Sequence, residues 1–501
     1  MSSILGKTAP KREDRLKACI TFGGTLCGLR NKLSCGCFKD GEREFAQGNI
    51  CLMLPGIAML GTLPDNVNIM HGAVGCGATS HAQNANVRSG STARFGVTKD
   101  ALWVSTAMNE ADVIGGGEEK LRRAIIEADK TYHPKTITVV ASCVPGITGD
   151  DVDGVIDAVR GEVEARIIPV HCEGFKTKIW ATAYDAVYHG IMRTMFDNPQ
   201  EPDKGVPEEE IKALEAARGS TVNLCNVSSM GKIDDDELVR LLNALGLKAN
   251  VFPGFAESEK MYRIKYAALA VSTCPTHDDY FLKFLEKHYH IPYILKHMPI
   301  GIGNTNSWLM DVASFFHKEE EAQRIIQEEN RKLDAALEPY RAFFKGKKAF
   351  INAGEFRALA NGVLLHELGF EIAGIRSFHH DEFAQVEYEK LHDLIGDFPL
   401  NIANAQPFEE ANLLTKIRPD IFMGHCNGNS TAAKLGIPSH VIFNSNLAYI
   451  GYKGAFELAR RLRRQLSNPA FAKNLAKFVR LPYKESWYQE NPFKYIKEER
   501  P

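Results

Sequence analysis

Cys51, Cys76 and Cys143 are the residues whose types and spacing best suit chemistry. Cys76 sits in His71-Gly-Ala-Val-Gly-Cys-Gly77, directly after an apolar strand over Val67, Ile69 and Met70. Glycines on either side of a cysteine let the backbone fold tightly around a bulky object while the thiolate points at it. Cys51 stands 25 positions earlier, and Cys143 follows in SCVPGITGDD at the end of another apolar run. Three soft thiolates on three strand-to-helix corners suit an iron–sulfur cluster held between elements. A fourth cysteine, Cys274, closes the run AALAVSTC before a helix, where a thiolate can cap a terminal iron. The bland reading, that buried cysteines act as small hydrophobes, fits each thiol singly but not the pattern.

Positioning these residues falls to alternating strands and helices. In the first block VNIM, DVIGG (112–116), TITVVAS (136–142) and ARIIPV (165–170) read as strands. Residues 118–132 and 149–161 read as helices, the second opening on an aspartate pair suited to its N-terminus. A polar stretch, 197–219, reads as a linker. The second block has strands at 222–228, 248–252, 267–274 and 292–295, then the glycine-rich turn PIGIGNTNSW, able to offer N–H groups to an anion or sulfide. A charged helix, 317–341, precedes a third block with strands at 348–354, 370–375, 419–425 and 439–443. This alternation predicts an α/β chain of three Rossmann-like, doubly wound βα domains. Their bounds are an arm at 1–42, domains at 43–200, 220–316 and 346–450, and a closing helix and tail at 451–501. Ligands bind at the carboxyl ends of such strands, where Cys76 and Cys143 fall.

Composition narrows the class. At ~150 residues per domain, 501 residues exceed a single core. A net charge of −2 speaks against nucleic acid or a membrane surface as partner. No signal-like start and no run of about eighteen apolar residues occurs, so the expected location is the cytoplasm. Eleven cysteines then read as reduced thiols, some of them metal ligands. Cys35-Gly36-Cys37 is too short a pair to carry a metal assignment. No phosphate-binding GxxxxGK[ST] run is present, which places ATP on another protein.

Cys51, the HGAVGCG run and Cys143 followed by GDD resemble the three cluster cysteines of the nitrogenase component 1 α/β family. IIPVHCEGF, the strand ending in Cys274, HYHIPY, LGIP and GYKGAFELARRL continue the resemblance in order, over about residues 43–465. It implies three domains of the nitrogenase α/β subunit type. It also implies that Cys51, Cys76 and Cys143 supply half the ligands of a P-cluster-like centre of the 8Fe-7S type. A homologous K/β-type subunit would supply the rest, in an α2β2 heterotetramer. Cys274 falls where the catalytic subunit anchors an iron–sulfur cofactor resembling the nitrogenase active-site cluster. His440 is the nearest match to the cofactor's histidine ligand, with His425 and Cys426 as rivals, and Arg357 falls near an arginine that donates to cofactor sulfides. Electrons would come from an ATP-dependent iron-protein reductase.

Departures from the family pattern bear on substrate. Asn84 stands where dinitrogen-reducing members carry an arginine, and Trp180 and Tyr184 replace a glutamine and a histidine over the reactive face. An indole and a phenol change proton delivery, and an aromatic wall suits an apolar or thioether group. Among nitrogenase-like enzymes this fits the methylthio-alkane reductases, which release methanethiol and a small hydrocarbon from a volatile organosulfur substrate. The alternatives are a cofactor-assembly scaffold and an atypical nitrogenase α chain. A dark-operative tetrapyrrole reductase is disfavoured, because it needs no cofactor-type cysteine.

Overall fold

The computed structural model describes residues 5–36, 38–47, 51, 53–97, 101–196, 205–227 and 231–497, without the side chains of 83–86 and 426–427. The chain divides into two compact units. One holds residues 1–12, 51–273 and 277–295; the other holds 13–50, 274–276 and 296–501.

The first unit carries two four-stranded parallel sheets. One is built from β2 (Asn66–His71), β3 (Leu102–Ser105), β4 (Thr136–Ala141) and β5 (Arg166–His171), in the order β3-β2-β4-β5. The other is built from β6 (Thr221–Cys225), β7 (Lys248–Phe252), β8 (Leu269–Ser272) and β9 (Tyr293–Ile294), in the order β7-β6-β8-β9. Both faces of these sheets are covered, which is why their strands read as continuous apolar runs. Helix Glu118–Tyr132 shows how cover and sequence match: Leu121, Ile125 and Ala128, spaced four and three apart, pack on Val67, Ile69, Ile137 and Val139.

The second unit carries a six-stranded sheet of β1 (Thr21–Thr25), β10 (Lys348–Ala353), β11 (Glu371–Ser377), β12 (Pro399–Ala403), β13 (Ile421–Gly424) and β14 (Ser439–Val441). Its order is β1-β12-β11-β10-β13-β14, parallel except for β1. Strand order reverses between β2 and β4, between β6 and β8, and between β10 and β13. At such switch points the loops after neighbouring strands diverge and leave a crevice at the carboxyl ends.

Four sequence expectations differ from the structure. Of residues 112–116, expected as a strand, 112–115 are helical, in Glu110–Gly115, because Asn109 and Asp112 close a capping box; the strand is Leu102–Ser105 instead. The stretch 1–42 is no irregular arm: Thr21–Thr25 pairs antiparallel with β12 along its full length. The expected linker contains helix Glu208–Ala217, three glutamates in its first turn, with Glu210 accepting from Tyr262 and Arg263 at 2.6 Å. Cys35, expected as a reduced thiol, is disulfide-bonded.

Candidate metal and cofactor centres

Cys76 lies in the first turn of helix Val74–Phe95 after β2, and Cys143 begins helix Cys143–Thr148 after β4. They therefore flank the switch point of the first sheet. Cys51 precedes helix Met53–Leu60. A Cβ built on Gly174 would stand 3.3 Å from Sγ of both Cys51 and Cys143, so two of the sulfurs converge on this residue's bare Cα. The Cys51 thiol is pushed up by burial and then by Cys143 and Cys76, which puts all three within electrostatic reach. All three are free thiols, Cys51 exposed and the others half-buried. Convergent, unpaired and open to one side, this donor set fits half of a cluster shared with another chain. Cys172 is different: it is buried against Gly56, and burial drives its thiol far up, as for a packing residue.

Of the two glycines beside the thiol, only Gly77 makes a close approach, and Gly72 makes another. A Cβ on Gly75 would meet open space, whereas one on Gly77 would lie 2.8 Å from Ser105 and one on Gly72 would collide with Ser142 Oγ. Buried His71 ties the turns together, with Nδ1 3.1 Å from Thr106 Oγ1 and Nε2 3.0 Å from Asp150 Oδ2. Asp150 also accepts from the Gly117 N–H (3.0 Å) and the Thr148 hydroxyl (2.7 Å). The HG and GDD letters were visible in the sequence, but their pairing was not. Gly174→Val would place methyl groups against both sulfurs. It is expected to cut iron bound at the three thiols by about tenfold or more, read as iron per chain, with an unchanged far-UV spectrum.

Apolar side chains surround this mouth in sequence. Val74 (70% exposed), Ile147 (75%) and Phe175 (54%) each lie within four residues of a thiol or of Gly174.

At the end of β5, His171 Nε2 bonds Asp153 Oδ2 at 2.8 Å, and Arg193 reaches Asp153 Oδ1 at 3.0 Å. Burial would raise the Asp153 carboxyl, but His171 and Arg193 hold it down at about 2. Its folded value thus lies below its ordinary 3.8, so its contribution is complete above about pH 4 and is lost as pH falls towards 2. Asp153→Asn should flatten that part of the stability–pH curve, measured by urea unfolding.

Cys274 is buried and directly precedes helix Pro275–Tyr289, at the carboxyl end of β8 beside the second sheet's switch point. Arg357 and His425 follow β10 and β13, the strands flanking the third. Arg357 is buried, its guanidinium 5.7 Å from the Phe443 ring centroid, so it is no exposed cap charge. His440 sits mid-strand in β14, opposite Met423, and its Nε2 is buried with no hydrogen-bond partner among the described residues. Burial, then Arg461, holds its pKa at about 4, leaving a neutral imidazole with a lone pair for a metal. His425 is likewise held at about 4, by burial and then Arg357, with its ring 5.4 Å from Phe378. A thiol and a neutral imidazole are donors that fit iron. The side chains of Cys426 and Asn84 lie outside the described residues.

Trp180 and Tyr184 meet edge-to-face at 5.9 Å. Sequence reasoning missed the third ring, His277, tilted against Tyr184 at 4.2 Å in the first turn of helix Pro275–Tyr289. The Pro299–Asn304 turn disappoints as an anion site. Its Ile302 and Gly303 N–H groups already donate to the Glu367 carboxylate, at 2.7 and 2.8 Å.

Comparison with known proteins follows the same lines. Residues 51–467 match the family described as nitrogenase component 1 type oxidoreductase. The chain is 26% identical over 465 residues to the nitrogenase iron-molybdenum cofactor biosynthesis protein NifE of Rippkaea orientalis, covering 91% of this chain and 92% of that one. It is 26% identical over 481 residues to the nitrogenase molybdenum-iron protein alpha chain of Methanosarcina barkeri, covering 85% and 86%. The solved structure titled nitrogenase Cp1 at pH 5 superposes with a TM-score of 0.69 at 22% identity, over 89% of this chain and 93% of that one, which shows a shared fold.

Proposed function

We propose that this chain, which belongs to the nitrogenase component 1 type oxidoreductase family, is the catalytic D-type subunit of a nitrogenase-like reductase that cleaves C–S bonds of methylthio-alkanes. The observations that support the reading are the sulfurs of Cys51 and Cys143 converging on Gly174 and, separately, a buried thiol at Cys274 and a buried imidazole at His440. Two electrons and two protons would convert a methyl thioether into methanethiol and an alkane, the C–S bond breaking and one C–H and one S–H bond forming. An iron–sulfur cofactor would supply the low-potential electrons at the reacting sulfur.

The chain's own residues have separable roles in this proposal. Cys51, Cys76 and Cys143 hold half of a P-cluster-like centre. Cys274 and His440 hold the cofactor, with His425 the rival to His440. Arg357 offers buried N–H donors and positive charge to cofactor sulfides. Trp180 and Tyr184 present aromatic faces suited to a thioether, and the Tyr184 hydroxyl is a candidate proton donor. No helix among the described residues is long and apolar enough to cross a membrane.

A β-type partner and an ATP-dependent iron protein complete the proposed system. Val74, Ile147 and Phe175, exposed and close to the three thiols in sequence, support such a partner. Ile147→Asp is expected to shift the chain from a heteromeric to a smaller species on size exclusion, with far-UV spectrum retained.

A cofactor-assembly scaffold is the second reading, favoured by relatives whose names describe cofactor biosynthesis. Retention separates the two. The enzyme keeps its cofactor through purification, whereas a scaffold releases it to an apo-nitrogenase.

A further inference from the structure

We propose that Glu355, His379 and Asp381 form a buried binding site for a divalent first-row transition cation, separate from the thiol centres. All three residues are fully buried, and one ligand atom from each lies within 4.8 Å of the others. The fold brings them together because β10 and β11 are parallel neighbours. Glu355 opens helix Glu355–Glu367 after β10, and His379 and Asp381 lie in the turn after β11.

The surrounding bonds orient the donors. Glu355 Oε1 meets His380 Nδ1 at 2.7 Å and Oε2 accepts from the Asp381 N–H at 3.0 Å. Asp381 Oδ1 accepts from the Phe383 N–H at 3.1 Å, while Oδ2 faces His379 Nε2 at 3.5 Å. Outer hydrogen bonds of this kind hold metal ligands in place.

Charge points the same way. Two carboxylates at full burial are costly unless matched by positive charge. Two carboxylate oxygens and one imidazole nitrogen, with no thiolate, suit Mn2+, Fe2+ or Zn2+. Bound there, a cation would pin the β11 turn to the start of the helix that presents Arg357.

Mn2+ is the probe, because it avoids the cysteines. The full chain with its partner subunit is treated with chelator and titrated with MnCl2, free Mn2+ being read by electron paramagnetic resonance. One Mn2+ per chain, a raised Tm and pulsed-resonance coupling to a single imidazole nitrogen are expected. Glu355→Gln and Asp381→Asn should each weaken binding by about tenfold or more, while exposed Asp393→Asn leaves it unchanged. No uptake, no nitrogen coupling, or binding equal in both variants would overturn the site. If a variant fails to fold, the nitrogen coupling in the unmodified chain decides.

Discussion

Arg12→Ala is expected to destabilise the first unit by about 3–5 kcal/mol, the range for removing one member of a buried ion-pair network. Arg12 bonds Asp185 with two nitrogens, Nη2 to Oδ1 at 2.8 Å and Nε to Oδ2 at 3.1 Å, and reaches Asp279 Oδ1 at 3.2 Å. All three side chains are fully buried. Truncating the arginine leaves two carboxylates desolvated beside each other, and this penalty, more than the lost attraction, sets the size of the effect. Against a typical total of about 5–15 kcal/mol, the loss should shift the urea midpoint visibly. Arg12→Lys should recover only part of it, since an ammonium cannot reproduce the two-nitrogen contact. A change below about 1 kcal/mol would mean that these carboxylates find another partner.

Cys274→Ala has the largest expected effect on activity. Outer-sphere partners of a metal already contribute about 10–100-fold, so loss of a direct ligand should lower reductive turnover by roughly 100-fold or more. Iron at Cys51, Cys76 and Cys143 should persist in that variant, with its spectroscopic signature. Cys143→Ala should do the reverse, removing the three-thiol signal while the Cys274 donor stays in place. A shared loss of both signals in either variant would indicate unfolding, which a far-UV spectrum distinguishes.

Regular elements were legible because local rules govern them. The period of Leu121, Ile125 and Ala128 gives the helix Glu118–Tyr132, and the apolar run TITVVA gives β4. Residues 112–116 misled because an apolar pair running into glycines imitates a strand end, whereas the capping box at Asn109 decides the matter. Thr21–Thr25 was invisible for another reason. A TFGGT strand has little side-chain signal, and its pairing with residues 399–403 is a contact across more than 370 positions. Separations of 173 and 267 positions likewise hid Arg12 and its aspartates. At the site, thiol identity could be read from motif letters. The convergence on Gly174, the His71–Asp150 tie, the His277 ring and the capture of the Ile302 turn by Glu367 depend on tertiary placement.

The proposed chemistry is tested most directly by an anaerobic headspace assay. It combines this chain with its native partner subunit and the ATP-dependent iron protein, under either a methyl thioether or dinitrogen. Methanethiol and the matching alkane, formed only with ATP and lost in Cys274→Ala, are the predicted result. Ammonia from dinitrogen in place of methanethiol would contradict the role given to Trp180 and Tyr184. Neither product, together with cofactor transfer to an apo-nitrogenase, would contradict catalysis itself and identify a scaffold.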